Sequence, residues 1–275
     1  MHPLIFTFEA PMTVTAPAKQ INVSRDAFLS TAAKAIKTTD VVLDVGCGIR
    51  PMNYFRPKLH FMVEPWKEYA DILAYRYRND KSVMIFRQGA LEALQSLGDK
   101  SVDSIFLLDV IEHITKEIGL AVVAECERVA REQIVIFTPL GFMPQHMEDG
   151  QKDGWGLSGA SVQEHLSGWT PDDFGSEWTH YICPDFHQHD FKSDTLQDAF
   201  GAFFAIRDFD HKPAETAAPA PELQEALPTE LEAGQLRGEV AALTANATNL
   251  KIALNGLLNS RSVKTIRAIR SIGNK

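Results

Sequence analysis

The stretch 41-VVLDVGCGIR-50 passes from a continuous apolar run into an acid, a glycine, a cysteine and a second glycine. An apolar run without polar alternation reads as a strand buried on both faces, the mark of a parallel sheet. Gly46 and Gly48 let backbone approach a ligand and take dihedrals closed to other residues. The turn is not a dinucleotide fingerprint, because Pro51 stands where the third glycine belongs. It also lacks the Lys-Ser/Thr pair of a phosphate loop. Instead Asp44 precedes the first glycine by two positions. A carboxylate there repels a pyrophosphate but attracts an ammonium or sulfonium, or holds a water.

Outward from this turn, strand and helix signals alternate. "HFMVE" (60–64), "SVMIF" (82–86), "SVDSIFLLD" (101–109) and "QIVIFT" (133–138) read as further strands, with helical stretches at 66–78, 90–97 and 115–131. Ser24 is placed to cap a helix over 25–37. Such repetition predicts an α/β, doubly wound sheet with right-handed crossovers. "THYICP" (179–184) and "FFAIRDF" (203–209), flanking a helix near 192–200, would complete a Rossmann-like, seven-stranded sheet. The expected organisation is an irregular segment over 1–23, the α/β domain over 24–210, an Ala/Pro-rich linker over 211–230 and a coiled-coil helix with a basic tail over 231–275. In that helix Leu236, Val240, Leu243, Ala247, Leu250, Leu254 and Leu257 alternate spacings of four and three, an a/d seam of about three heptads. The seam predicts a homo-oligomer through residues 236–257, or else a lone amphipathic helix folded back on the domain.

Over roughly residues 24–209 the chain resembles the class I S-adenosylmethionine-dependent methyltransferases. "LDVGCG" is similar to the motif that wraps the cofactor's methionine part. Glu64, closing "FMVEP", matches the acid that holds both ribose hydroxyls, and Asp109 in "LLDVIEHI" and "VARE…IVIFTP" follow in the family's order. The resemblance implies S-adenosyl-L-methionine as cofactor, held by Asp44, Gly46, Gly48, Glu64, Gln88 and Asp109. Two positions depart from the pattern. Ile49-Arg50-Pro51 replaces a small residue after the glycines, and Gln88-Gly89-Ala90 stands where many members carry an adenine-binding Asp.

On the acceptor side, Asp109, Glu112 and His113 lie at i, i+3 and i+4, where a helix start gathers side chains on one face. With His165 in "EHLSGWTPDDF" they resemble the metal ligands of metal-assisted methyltransferases, among them small-RNA 3′-end enzymes and some quinone O-methyltransferases. That likeness implies Mg²⁺ or another divalent cation on Asp109, Glu112, His113 and His165, where it would lower the acceptor hydroxyl's pKa. Two alternatives stand beside it: His113 as general base, and a structural Glu112 capping backbone amides. His113, His165 and Glu112 are thus the candidate catalytic residues. The long Gly-rich segment 141–169 begins beside the reacting centre, and its Trp155 and Trp169 are expected to wall the acceptor site. "DFHQHD" (185–190) has His-x-His spacing, which on a polar loop more often binds nothing.

Formal net charge is −9, yet residues 258–275 carry Arg261, Lys264, Arg267, Arg270 and Lys275 and no acid. The rest of the chain is therefore five charges more negative than the whole, which speaks against nucleic acid as partner. The basic tail, with isoleucines at threes, predicts peripheral contact of 261–275 with an anionic membrane surface or a polyanionic partner. Its sequence is similar to endings of bacterial surface-polysaccharide enzymes, which implies a sugar or glycan acceptor. Cys47, Cys126 and Cys183 show no C-x-x-C spacing and fit a reducing compartment; with no signal-peptide pattern, a cytoplasmic location is expected, in contact with the membrane if the tail binds it. The competing readings are a metal-dependent RNA 2′-O-methyltransferase and a non-catalytic coiled-coil scaffold with a cofactor-sensing domain.

Overall fold

A computed structural model describes residues 18–148, 150–190, 194–210 and 228–259. The chain forms two compact units, residues 1–213 and 214–275. In the first, the elements run β1 (Lys19–Asn22), α1 (Arg25–Ala35), β2 (Val41–Val45), β3 (Leu59–Val63), α2 (Lys67–Arg76), β4 (Val83–Phe86), α3 (Ala90–Gln95), β5 (Val102–Leu108), α4 (Lys116–Val129), β6 (Ala130–Pro139), β7 (Trp178–His189) and β8 (Thr195–Asp208). The second unit contains one described helix, α5 (Pro228–Asn259).

The strands form a single mixed sheet in the order β1-β7-β8-β6-β5-β2-β3-β4. All neighbours pair parallel except those of β8, which is antiparallel to both β6 and β7. Side-chain alternation sorts the strands' apolar residues into two cores. Leu43, Val45, Ile105, Leu107, Ile134 and Ile136 join one core with α3 and α4. Val42, Phe106, Val135 and Phe137 join the other, around Phe28 of α1. Burial on both faces is why these strands are apolar without alternation. From β2 the chain winds outward to β3 and β4, then returns to place β5 on the other side of β2. That reversal opens a crevice at the carboxyl ends of β2 and β5.

The structure departs from the sequence expectations at three places. The sheet has eight strands, because residues 19–22, expected to be irregular, pair parallel with β7 at the sheet edge. The helix expected near 192–200 is replaced by the start of β8: Thr195 pairs with His189 and Phe200 with His187. Helix-compatible residues such as Leu196, Gln197 and Ala199 yield there to cross-strand pairing, since strand preference is set by neighbours more than by the residue itself. Ser24 occupies the N-cap position of α1 but makes no side-chain bond to it. The 261–275 tail lies outside the described residues, and among those described no helix is long and apolar enough to cross a membrane.

Candidate active site

A cavity of about 890 Å³ opens at the crevice. Its one end is the turn after β2. Gly46 and Gly48 have φ of +64° and +55°, in the left-handed region that favours glycine. A Cβ on Gly46 would meet Val110 at 2.9 Å, and one on Gly48 would meet the Trp155 ring at 2.5 Å. Glu64 follows β3 on the next strand over. Its Oε2 accepts the Gly48 N–H at 2.8 Å and its Oε1 the Trp66 N–H at 2.7 Å. One lone pair of each oxygen is thereby used, and the carboxylate still lines the cavity. Burial pushes the Glu64 carboxyl above its ordinary range, against the pull of these two amides.

Two residues expected to touch cofactor are placed otherwise. Asp44 does not line the cavity; it is buried and accepts the Met52 N–H at 2.7 Å, with His60 Nε2 at 3.2 Å. It braces the far side of the glycine turn. Gln88 turns to Glu92 at 3.4 Å, leaving Gly89 and Ala90 to line the cavity in its place.

The other end is built after β5. Asp109 lies in the left-handed region at φ +54°, a conformation that a non-glycine residue holds only where its surroundings impose it. Its N–H is tied to Phe137 O at 3.0 Å. Residues Ile111–His113 then form one 3₁₀ turn ahead of α4, rather than the first turn of α4 itself. Glu112 is buried; its Oε2 accepts from Thr138 Oγ1 at 3.1 Å, while Oε1 has no partner. Burial drives this carboxyl up to about 7. Burial and the adjacent Glu112 together push Asp109 well above the carboxylate range.

His165 reaches the same place from the long loop. The backbone of Glu112 receives the Leu166 and Ser167 N–H groups at 2.7 and 3.1 Å. Trp169 Nε1 donates to Ile111 O at 3.1 Å, and Lys116 Nζ donates to Gly168 O at 2.7 Å. So anchored, the His165 ring stands 4.9 Å from that of His113. Each imidazole spends its Nδ1–H on a carbonyl: His113 on Glu164 O at 3.1 Å, His165 on Met143 O at 2.6 Å. A carbonyl only accepts, so both Nδ1 atoms carry the proton and both Nε2 atoms carry a lone pair. Burial lowers the pKa of both rings, His165 to about 4, and keeps them neutral at pH 7. One ligand atom each from Glu112, His113 and His165 lie within 4.8 Å of one another.

Trp169, expected to wall the acceptor site, is instead fully buried beneath α4, where a Cβ on Gly119 would meet its ring at 2.4 Å. Trp155 does line the cavity, edge-on to Tyr69 with ring centres 5.1 Å apart. Asp153 holds its segment by accepting the Tyr69 hydroxyl and the N–H groups of Trp155, Leu157 and Gly159. The sequence reading set His187 aside as part of a polar loop, whereas it belongs to β7. It lines the cavity from the carboxyl end of β7, and its Nε2 is buried without a partner. Burial, with the nearby His165 ring, lowers its pKa to about 4. The signal was present in the His-x-His spacing, but only the long hairpin of β7 and β8 brings it to the site.

The crevice thus holds a glycine turn and a strand-end acid at one end, and acids and imidazoles at the other. Residues 43–137 match the model of a family described as "Methyltransferase domain". That stretch, about a third of the chain, is similar to a methyltransferase domain and runs from β2 to β6. Among solved structures, a SAM-dependent methyltransferase from Archaeoglobus fulgidus is 16% identical with a TM-score of 0.43, over 67% of this chain and 94% of that one. The YcgJ protein from Bacillus subtilis is 10% identical with a TM-score of 0.47, over 68% and 100%. The small RNA methyltransferase HEN1 is 14% identical with a TM-score of 0.44, over 71% and 26%. No curated protein matches the sequence.

Proposed function

We propose that this methyltransferase transfers the methyl group to an oxygen of a small acceptor, a sugar or small-metabolite hydroxyl, activated by the Glu112–His113–His165 cluster. One observation carries the reading. Two neutral imidazoles, each with Nδ1 tied to backbone, share a corner of the cavity with an unpartnered Glu112 oxygen. When bound, S-adenosylmethionine supplies the methyl and leaves as S-adenosylhomocysteine. The glycine turn fits it because Gly46 and Gly48 line the cavity at positive φ and present bare backbone to a ligand. Glu64 keeps lone pairs for the ribose hydroxyls.

The donor set of the cluster, two imidazole nitrogens and a carboxylate, fits a divalent transition-metal cation such as Mn²⁺ better than Mg²⁺, and both Nδ1–H bonds do what outer-sphere partners of metal-bound histidines do. Glu112, His113 and His165 would hold the cation, with Asp109 alongside. The cation would act as Lewis acid toward the acceptor hydroxyl. Without one, His113 Nε2 is a base already neutral at pH 7 and free to take that hydroxyl's proton. The two routes separate on chelation. Much of the catalysis is positioning, and His187, Met143 and Phe186 line the space left for the acceptor.

The acidic balance of the catalytic unit disfavours an RNA acceptor, and the preserved Glu64 and glycine turn disfavour a scaffold without turnover. The polysaccharide setting rests on the tail sequence alone. The test is isothermal titration with S-adenosylhomocysteine on wild type and Glu64→Ala, with and without Mn²⁺, followed by sugar acceptors scored by S-adenosylhomocysteine release. Tight binding weakened in Glu64→Ala supports the cofactor site. Absence of binding to wild type overturns the reading.

A further inference from the structure

From the side chains of α5 we infer that the chain forms a parallel, two-stranded coiled coil with a second copy of itself. The helix runs Pro228–Asn259, and Leu236, Val240, Leu243, Leu250 and Leu254 are all more than half exposed along it. With Leu236 at d, the a positions hold Val240, Ala247 and Leu254, and the d positions Leu236, Leu243 and Leu250. Leucine holds every named d position, and Val240 is the β-branched residue at a, the combination that favours two parallel strands. Gly234, Gly238 and Gly256 fall at b, f and c, away from the seam, where they weaken the lone helix without notching the interface. A helix of this composition gains most of its stability from tertiary packing of its apolar face, here the a/d seam.

The flanking charges choose the partner and its direction. Glu232 falls at g and Arg237 at the following e, and both are exposed. In a parallel in-register pair, g of one helix faces the next e of the other, so Glu232 meets Arg237 of the second copy, twice by symmetry. A second copy of this chain supplies that complement without further assumption.

The test uses the full chain. Sedimentation equilibrium at micromolar concentration should give twice the 30.6 kDa chain mass. A single chain mass, or three or four copies, overturns the inference. Leu243→Asp with Leu250→Asp should yield monomers that still bind S-adenosylhomocysteine as wild type does; a dimer that persists places the contact elsewhere. Glu232→Lys and Arg237→Glu should each weaken the dimer, and mixing the two variants should form the heterodimer in preference to either homodimer. No preference in the mixture removes the predicted ion pairs. Leu236→Cys should cross-link under mild oxidation, because d residues meet only in the parallel arrangement and Cys47, Cys126 and Cys183 are buried. A dimer that fails to cross-link is antiparallel and contradicts the proposal.

Discussion

The two ends of the cavity hold their groups in opposite ways. At the cofactor end, Gly46, Gly48 and Glu64 follow two adjacent strands whose register runs from Val41–Leu59 to Val45–Val63. The Glu64 carboxylate accepts the Gly48 N–H, so the turn and the acid position each other. At the acceptor end, Glu112 and His113 sit on a single 3₁₀ turn, His165 on a long loop and His187 on a strand extension. Those groups meet because the loop is hydrogen-bonded onto the 3₁₀ turn and α4. The first end is secured by sheet pairing, the second by docking of a loop, so the two should fail separately.

Trp169→Ala should break that comparison most sharply. The indole fills the space against Gly119, lies under Lys116 and donates to Ile111 O. Its loss should cost about 3–5 kcal/mol in urea unfolding. Where the variant remains folded, Mn²⁺ binding should fall steeply while S-adenosylhomocysteine affinity stays near wild type. Equal loss of both would show that the ends are not independent. Glu64→Ala makes the converse test. Removing the charged partner of two backbone amides and of the proposed ribose contact should weaken S-adenosylhomocysteine by about 1.5–3 kcal/mol, roughly ten- to a hundredfold, and leave Mn²⁺ titration unchanged. Thr138→Val is smaller. It strips one donor from Glu112, at a cost of about 1 kcal/mol in stability, measured by denaturant midpoint, with cofactor affinity unaffected.

The same contrast explains what was legible from the chain alone. The alternation of apolar runs with 3.6-period segments carries most of the sheet, and "LDVGCG" with Glu64 carries the pairing of glycine turn and acid, because those contacts are close in sequence or set by strand order. The acid–histidine cluster was legible as spacing. The fates of the two loop tryptophans were not: whether a ring packs beneath α4 or over a glycine turn depends on loop path, and both occur in similarly Gly-rich sequence. The β7–β8 extension was missed because Leu196, Gln197 and Ala199 carry no local strand signal, and with it went His187. Asp44 shows the remaining difficulty. Its type and place in the motif suit a ligand contact, but His60 from the neighbouring strand takes up its carboxylate, and only the register of β2 against β3 reveals that.

The finest difference between the ends is in protons. With Glu112 raised to about 7 and Asp109 raised beside it, the folded chain keeps protons there that the unfolded chain has released above the usual carboxylate pKa. The folded state therefore binds more protons than the unfolded between about pH 4.5 and 7, and this pair's contribution to stability falls as pH rises through that window. The buried neutral histidines act the other way: His165 and His187, lowered to about 4, make the unfolded chain the greater proton binder below its ordinary histidine pKa, so their contribution is lost as pH falls. Wild type alone shows only the sum. Glu112→Gln keeps an oxygen for Thr138 but removes the titrating carboxyl, so the variant should gain stability over wild type as pH is raised from about 4.5 to 7. The measurement is the difference in melting temperature across that range, expected to be a few degrees. Saturating Mn²⁺ near pH 7 should close or reverse the gap, because a cation on the cluster replaces the proton that Glu112 otherwise retains. A difference that does not change with pH would mean that Glu112 is ionised at every pH tested, with another group already balancing its charge.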